Sequence, residues 1–312
     1  MNPLTRFKKM KILRNIFLSL GVIFALVTAA HAQNLYVSVQ VRPSHAILEF
    51  TPDGTQSTYA SGLTIPRGLA FDSIGSNLFA AHNPEPDNIE IGRVLKFNLR
   101  NHVSTVGSAA KFFFAGLAID IAGNAYVLAT DDTSPTAAGT IFKFTPDGER
   151  IIFGSVPGVP DPQVVNLGLA FDGAGNLYAT ASSAQTIYKF APDGARTVFV
   201  EPSQFNEGEY PAGLAFDSSG NLFVSIETFS GPGADSIVYF NPMGVKTPFA
   251  TGLTTPRGLA FDSSCNLFVA EAGLPETNVI GDILWFPPGG GPPTVFASGF
   301  GRPQFLTFGP PR

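Results

Sequence analysis

The amino-acid sequence predicts an all-β fold, a six-bladed β-propeller, and the prediction rests on three observations. The phrase GLAFD recurs at Gly68, Gly168, Gly213 and Gly258, with the variant GLAID at Gly116. The spacings between these phrases are 48, 52, 45 and 45 residues. Each phrase opens a pair of short apolar runs that are joined by turn residues. Strand-rich repeats of about this length are typical of propeller blades rather than of helical solenoids.

The first two strands of each blade are predicted from a hairpin such as the one between Gly213 and Glu227. Its two apolar runs, LAF and LFVSI, are joined by Asp-Ser-Ser-Gly-Asn. Short runs rich in Phe and Val between turn residues favour strands. Asp217 can accept hydrogen bonds across the turn, and Gly220 can adopt the positive φ of a tight reversal. Cys265 stands at that glycine's position in the last hairpin, where we expect a tolerated local strain rather than a reactive thiol.

The third and fourth strands follow from a second recurring pattern. Four blades contain a run that ends in Phe, namely Val94-Leu95-Lys96-Phe97, Ile141-Phe142-Lys143-Phe144, Ile187-Tyr188-Lys189-Phe190 and Ile283-Leu284-Trp285-Phe286. Pro-Asp-Gly turns follow the third strand at Pro52, Pro146 and Pro192. Pro fixes φ in such turns and Gly accepts left-handed backbone. The next strand is the most polar of each blade, as expected for the outermost strand.

The two ends of the propeller are predicted to share one blade. Asn34-Leu35-Tyr36-Val37 matches the second strand of the repeat, so this blade lacks an inner strand at its start. Phe305-Leu306-Thr307-Phe308 aligns with the inner strand that begins at Gly258. We therefore expect this C-terminal strand to complete the first blade, which closes the ring and protects the sheet edges.

Residues 1–32 are predicted to be a cleaved secretory signal peptide. Five basic residues precede the apolar run from Ile16 to Val27, and Ala30-His31-Ala32 offers small residues for cleavage before Gln33. The apolar run is short for a helix that crosses a bilayer. We therefore expect an exported protein, periplasmic or secreted, that is not inserted in a membrane and whose propeller occupies residues 33–312.

Composition excludes several classes of function. The chain has 19 basic and 24 acidic residues, and loss of the five basic residues of the signal peptide leaves 14 against 24, a net charge of −10. This balance argues against binding to nucleic acid or to anionic lipid, since both require basic patches. Cys265 is the only cysteine, so no intramolecular disulfide can form. We expect a monomer that is held together by its core.

The repeated phrases, P-x-G-L-A-F-D-x-x-G-N-L-(F/Y)-V followed by I-x-K-F-x-P-D-G, resemble those of NHL-repeat β-propellers. The resemblance covers residues 34 to 308 and implies the six-bladed fold and partner binding. The chain is more loosely similar to the SMP-30/gluconolactonase-like group, which would imply a metal-dependent lactonase. The glutamate-containing N-terminal motif typical of that group is missing here. Fold alone does not choose between these functions.

Candidate binding residues are expected at the face where the inner strands begin. Arg67 and Arg257 directly precede two of the inner-strand glycines, where the other blades have Ala115, Leu167, Ala212 and Gln304. The second strands end near the same face and supply Gln40, His82, Asp131, Ser182, Glu227 and Glu271. The predicted ligand-binding residues are Arg67, His82, Asp131, Glu227, Arg257 and Glu271. Arg suits forked recognition of carboxylates or phosphates, although the two arginines could instead tie neighbouring blades together.

No catalytic residue, metal ligand or cofactor is predicted from these residues. Glu227 and Glu271 could share a divalent cation such as calcium, but two carboxylates make a thin ligand shell. A histidine-bound zinc and a Ser-His-Asp triad lack the required residues, since only His82 falls on this face. The sequence favours an exported module that binds a small molecule or a protein outside the cytoplasm. The alternative is a metal-dependent lactonase of the SMP-30/gluconolactonase type.

Overall fold

Six four-stranded antiparallel sheets form the six blades of a β-propeller, as the sequence predicted. The structure is a computed structural model that describes residues 33–40, 45–83, 91–98, 100, 102–131, 138–158, 168–274 and 280–311. The predicted signal peptide and Leu167 lie outside these residues. Two short 3₁₀ helices, Ser182–Ala184 and Pro202–Gln204, accompany the strands. Among the described residues, no helix has the length and apolar character needed to cross a bilayer.

The strands are numbered in chain order, and blade 1 combines the first three strands with the last one. The strands of blades 1 to 3 are β1 Gln33–Gln40, β2 His45–Phe50, β3 Gln56–Leu63, β4 Ile65–Phe71, β5 Asn77–Asn83, β6 Ile91–Asn98, β7 Val103–Ala110, β8 Phe112–Ile119, β9 Ala125–Asp131, β10 Gly139–Phe144 and β11 Arg150–Val156. The remaining strands are β12 Leu169–Phe171, β13 Leu177–Ala181, β14 Thr186–Phe190, β15 Arg196–Val200, β16 Tyr210–Phe216, β17 Leu222–Glu227, β18 Asp235–Phe240, β19 Lys246–Leu253, β20 Pro256–Phe261, β21 Leu267–Glu271, β22 Asp282–Phe286, β23 Thr294–Ser298 and β24 Arg302–Pro311.

Blade 1 closes the ring as predicted, because β24 lies beside β1 in the order β24-β1-β2-β3. Side chains fasten the two strands together. The backbone N–H of Phe305 donates to Ser38 Oγ over 3.1 Å, and Gln33 Nε2 donates to the carbonyl of Gly309 over 2.9 Å. The ring is thus joined by hydrogen bonds between residues more than 260 positions apart.

The inner strands begin earlier than the GLAF phrases suggested, and a β-bulge interrupts them. In blade 2 the register with β5 shifts between Pro66 and Leu69, and the same shift occurs in blades 3, 5 and 6. In blades 2, 5 and 6 the glycine in the bulge closely approaches the next blade. A Cβ added to Gly213 would lie 1.7 Å from the carbonyl oxygen of Arg257. Glycine is therefore required by the close approach of strands around the axis.

Aromatic rings join neighbouring blades. The ring on the second strand packs against one ring from the fourth strand of its own blade and one from the inner strand of the next blade. Their centroids are 4.9–5.2 Å apart in the trios Tyr36–Tyr59–Phe71, Tyr126–Phe153–Phe171, Tyr178–Phe199–Phe216, Phe223–Phe249–Phe261 and Phe268–Phe296–Phe308. Between blades 2 and 3, where the phrase is GLAID, Ile119 replaces the inner-strand ring beside Phe79.

The Asp-x-x-Gly-Asn segments form structural turns at the face opposite the predicted site. Asp217 Oδ1 accepts from the backbone N–H groups of Ser219 and Asn221, and its Oδ2 accepts from the Asn221 side chain. Asp120, Asp172 and Asp262 repeat this arrangement. Cys265 adopts the left-handed conformation expected from its position, with φ +63°. These aspartates therefore stabilise hairpins.

Candidate functional site

The predicted site residues lie at one face of the ring, where the inner strands begin and the second strands end. Strand pairing places Pro66 opposite His82, Pro256 opposite Glu271, Phe112 opposite Asp131 and Tyr210 opposite Glu227. Each inner strand starts close to the axis, so this face is the mouth of the central channel. The contacts below show which of these side chains meet there.

Two arginines from different blades share one amide at this mouth. Arg67 Nη1 donates to Gln304 Oε1 over 2.5 Å, and Arg257 Nη1 donates to the same oxygen. Gln304 is fully buried, and it belongs to β24 between the blades that carry the two arginines. Three consecutive blades of the ring, 6, 1 and 2, thus meet at a single side chain.

Arg257 is also held by the carboxylate of Glu227. Its Nε donates to Glu227 Oε1 over 3.1 Å, and only 4% of Glu227 is exposed. Glu227 ends β17 of blade 5, so Arg257 links blades 5, 6 and 1. The sequence left open the alternative that the arginines tie neighbouring blades together. Arg257 fits this alternative, because its guanidinium has protein partners on two sides.

The positive charge of Arg67 is less well compensated by its neighbours than that of Arg257. Burial lowers the pKa of its guanidinium to about 9, and the nearby charges of Arg257 and Arg302 act in the same direction, while Glu227 partly opposes them. The guanidinium also lies over the ring of Phe113, 5.2 Å from its centroid. Among the described residues, its buried Nε–H has no hydrogen-bond partner. Arg67 stays protonated at neutral pH, and part of its hydrogen-bonding capacity is unused.

His82 and Glu271 occupy equivalent positions, and both bind the segment that enters their own inner strand. The Thr64 backbone N–H donates to His82 Nε2 over 3.1 Å, and the Thr254 backbone N–H donates to Glu271 Oε1 over 2.6 Å. Burial, and then Arg93, lowers the pKa of His82. Burial raises the pKa of Glu271 to about 6 despite the Thr254 hydrogen bond, and Asp282 and Asp235 raise it further. The structure gives both side chains a local hydrogen-bonding role.

The difference between these residues and Glu227 is one of register. Glu227 is two residues beyond Ser225 in β17, whereas His82 and Glu271 are one residue beyond the equivalent Ala81 and Ala270. Successive side chains of a strand point to opposite faces, so the two groups face different neighbours. Asp131 lies at the end of β9, one residue past the position equivalent to Glu227. The structure thus groups Arg67, Arg257 and Glu227 and places the other three predicted residues apart from this group.

Several residues of the mouth were not among the predicted binding residues. The sequence already placed Gln304 at the arginine position of its blade, through the alignment of PQFLTF with PRGLAF, but did not select it as a binding residue. No repeated pattern in the sequence indicates Arg302. Its proximity to Arg67 is apparent only from the structure. Asp235 is buried and accepts hydrogen bonds from the backbone N–H groups of Thr228 and Thr255, which makes it a loop anchor.

The mouth has an apolar part beside the arginines. Ala115 and Ala212, from blades 3 and 5, stand where other blades have arginine, and both are buried. Phe113 and Phe305 pack against them. Farther along the inner strands the axis holds a cavity of about 150 Å³, lined mainly by glycine and leucine residues. This cavity is smaller than typical small-molecule pockets.

The described residues of the mouth do not fit the calcium ion that the lactonase alternative would require. Ca²⁺ takes six to eight oxygen ligands, mostly from carboxylates and carbonyls. Glu227, the carboxylate that meets the arginines, is engaged by Arg257. Across the part of the chain that the structure describes, no group of three or more His, Cys, Asp or Glu residues could hold a metal ion. We therefore derive no chemistry through a metal here.

Comparisons with known proteins support the fold. No family model matches the chain, and no curated protein does either. A Bacteroides caccae protein of unknown function shares the fold with a TM-score of 0.60 at 12% identity, over 89% of this chain and 99% of that one. Regucalcin, a calcium-binding protein from Agrobacterium tumefaciens, gives 0.56 at 12% identity over 77% and 85% of the two chains. Virginiamycin B lyase from Staphylococcus aureus gives 0.52 at 16% identity over 78% and 77%. At these identities the likeness concerns the fold alone, and the NHL resemblance stays a prediction.

Proposed function

We propose that this protein is exported and that its propeller binds an anionic ligand, a carboxylate or a phosphate ester, at the channel mouth. The observation that carries the proposal is that Arg67 and Arg257 converge on one oxygen of Gln304, with the charge of Arg302 near Arg67 and with Glu227 in contact with Arg257 alone. Around Gln304 two arginines therefore converge, although the chain as a whole is acidic.

An anion would offset an electrostatic cost that the free protein carries. The pKa of Arg67 is lowered because its charge is partly removed from water and faces two other cations. A bound carboxylate or phosphate would favour the charged guanidinium, and charge-assisted hydrogen bonds to arginine are about twice as strong as neutral ones. Arginine is also the side chain whose planar fork matches the geometry of these anions.

Export rests on the sequence of the first 32 residues. The basic segment, the short apolar run and Ala30-His31-Ala32 support cleavage before Gln33. The ligand would accordingly be met in the periplasm or outside the cell. A protein ligand that presents an acidic side chain or its terminal carboxylate would satisfy the same arginines as a small anion.

The test is to express the full chain in a bacterium, to determine the N-terminus of the exported form by mass spectrometry, and to titrate that form with a panel of anions by calorimetry. The panel contains acetate, citrate, inorganic phosphate and a sugar phosphate at constant ionic strength. The variant Arg67→Gln removes one cation of the mouth. The matched control is Arg196→Gln, which removes the same charge from the outer strand β15.

We expect a mature protein that begins at Gln33 and binds at least one anion of the panel. Arg67→Gln should weaken this binding by about tenfold or more, since a charged hydrogen bond contributes about 1.5–3 kcal/mol. Arg196→Gln should bind as the unmodified protein does. Equal affinities of the two variants, or no binding by any anion of the panel, would contradict the proposed binding, and retention of residues 1–32 would contradict export.

A further inference from the structure

A groove lies between blades 3 and 4 on the face opposite the channel mouth. Its volume is about 590 Å³, within the range of about 300–1,000 Å³ that is typical of small-molecule sites. It is lined by the turns that follow β8 and β12 and by the rings of Tyr126, Phe153 and Phe171. The groove is therefore a second concave site, at the other end of the inner strands from the arginines.

The two turns beside the groove do not touch as the turns of blades 5 and 6 do. Between blades 5 and 6, Ser218 Oγ lies 3.6 Å from Cys265 Sγ. Ile121 has the position of Ser218 in blade 3, but its side chain is 91% exposed. Gly175 has the position of Cys265 in blade 4, and a Cβ added there would meet no heavy atom within 4 Å beyond its chain neighbours. The residues of these two turns thus leave the groove open.

Two carboxylates line the groove, and both are already supplied with donors. Asp120 accepts three hydrogen bonds from its own turn, and its Oδ2 also accepts from Tyr126 Oη over 3.3 Å. Asp172 accepts the same set in its own turn, and Lys189 Nζ lies 3.7 Å from its Oδ2. Neither carboxylate therefore needs a ligand to satisfy it.

Lys143, the cation that lines the groove, has no such partner. The equivalent lysine of blade 4, Lys189, lies over the ring of Tyr178 and pairs with Asp172. Lys143 lies over the ring of Tyr126, 5.5 Å from its centroid, but no carboxylate of the described residues is within ion-pair distance of its ammonium. An ammonium has three donors and no acceptor. The groove thus combines apolar rings with one cation that lacks a counter-ion.

We propose that this groove binds a flat aromatic carboxylate. The rings of the ligand pack against Phe153, Phe171 and the exposed side chain of Ile121. Its carboxylate accepts a hydrogen bond from the Lys143 ammonium. Sites of this kind are mostly apolar and aromatic, with a few polar groups that orient the ligand. The groove uses other blades and the other face of the ring, so this inference goes beyond the proposed function and does not depend on it.

The test uses naphthoate as the probe, with naphthylmethanol and naphthylmethylamine as neutral and cationic compounds that carry the same rings. Calorimetry at neutral pH and constant ionic strength measures the affinities. NMR of isoleucine methyl groups gives the location, with Ile121 as the signal in the groove and Ile74, in the turn of blade 2, as the reference. Each signal is assigned through replacement by Val. Lys143→Met removes the cation, and Lys96→Met is the matched control at the same position of blade 2.

We expect naphthoate to bind saturably and to shift the Ile121 signal but not the Ile74 signal. It should bind about fivefold more tightly than naphthylmethanol, a modest factor because an ion pair that is partly exposed to water is screened. Lys143→Met should remove this preference, whereas Lys96→Met should keep it. Arg67→Gln should bind naphthoate as the unmodified protein does.

Several results would overturn the inference. They are the absence of naphthoate binding, an unchanged Ile121 signal, and equal preferences in Lys143→Met and Lys96→Met. Tighter binding of naphthylmethylamine than of naphthoate would show that the groove selects a cation. Loss of naphthoate binding in Arg67→Gln would place the probe at the channel mouth, which would support the proposed function and refute the site in the groove.

Discussion

Arg67 and Arg257 show how one residue type at two equivalent positions can have different roles. Arg257 has a buried carboxylate, Glu227, beside its Nε, and both arginines share Gln304. Arg67 has an aromatic face and two neighbouring cations. The repeat therefore dictates the position of each guanidinium, while its environment decides whether it supports the fold or remains available to a ligand.

This difference predicts a split in stability. Arg257→Ala leaves the Glu227 carboxylate buried without its partner, so it should lower the free energy of unfolding by about 3 kcal/mol. Arg67→Ala removes a cation that is repelled by Arg257 and Arg302, so it should cost less than about 1 kcal/mol. Urea unfolding of both single variants measures the two values. Equal losses would show that Arg67 is as structural as Arg257, and binding would then have to be sought elsewhere on this face.

At the scale of strands, the repeated aromatic trios explain why the phenylalanines recur at fixed positions. A ring on each second strand contacts its own blade and the next one, so the same residue packs the blade and sets its distance to the neighbour. At the interface between blades 2 and 3, Val106 and Ile119 pack with Phe79, so one interface tolerates branched aliphatic side chains in place of both other rings. This packing is non-polar and does not involve the residues of the candidate site, so those residues can differ without altering it.

We expect Phe223→Ala to be among the most destabilising single changes in the chain. Phe223 is 6% exposed and contacts Phe249, Phe261 and Tyr239. Its truncation opens a cavity between blades 5 and 6 and should cost about 3–5 kcal/mol. Phe229→Ala is the control, because that ring is 51% exposed and should cost less than about 1 kcal/mol. Thermal or urea unfolding measures the loss of stability in each variant. Similar losses in the two variants would argue against the trios as a source of stability.

At the scale of the whole molecule, the ring depends on one pairing between distant segments. β24 supplies the inner strand of blade 1 and also Gln304, the residue on which the two arginines converge. Closure and site are therefore built by the same strand. Loss of this strand would expose the edge of β1 and remove the shared acceptor together.

Deletion of residues 301–312 should abolish cooperative folding or lead to aggregation. It removes β24 and exposes the edge of β1, and it takes away much of the marginal net stability of about 5–15 kcal/mol. A permuted chain is the matched control, with residues 301–312 moved in front of Gln33 so that β24 precedes β1 directly. The permuted chain should unfold near the temperature of the unmodified protein. A truncated chain that melts normally would mean that closure contributes little.

The sequence by itself determined the blades, their turns and the closure, because each rests on local and repeated signals. Asp217, Gly220 and the alternation of apolar residues act within one hairpin, and the repeat multiplies the evidence six times. The sequence also predicted a binding face and singled out Arg67 and Arg257 on it, since their place before the inner-strand glycine is fixed by the repeat.

Only the tertiary structure decided which side chains meet at that face. Glu227 reaches the arginine of the next blade whereas Glu271 binds its own loop, because a shift of one residue along a strand turns a side chain to the opposite side. The approach of Arg302 to Arg67 and the convergence of Arg67 and Arg257 on Gln304 depend on how separate blades are brought together around the axis. Such contacts join residues far apart in the chain, and no local pattern encodes them.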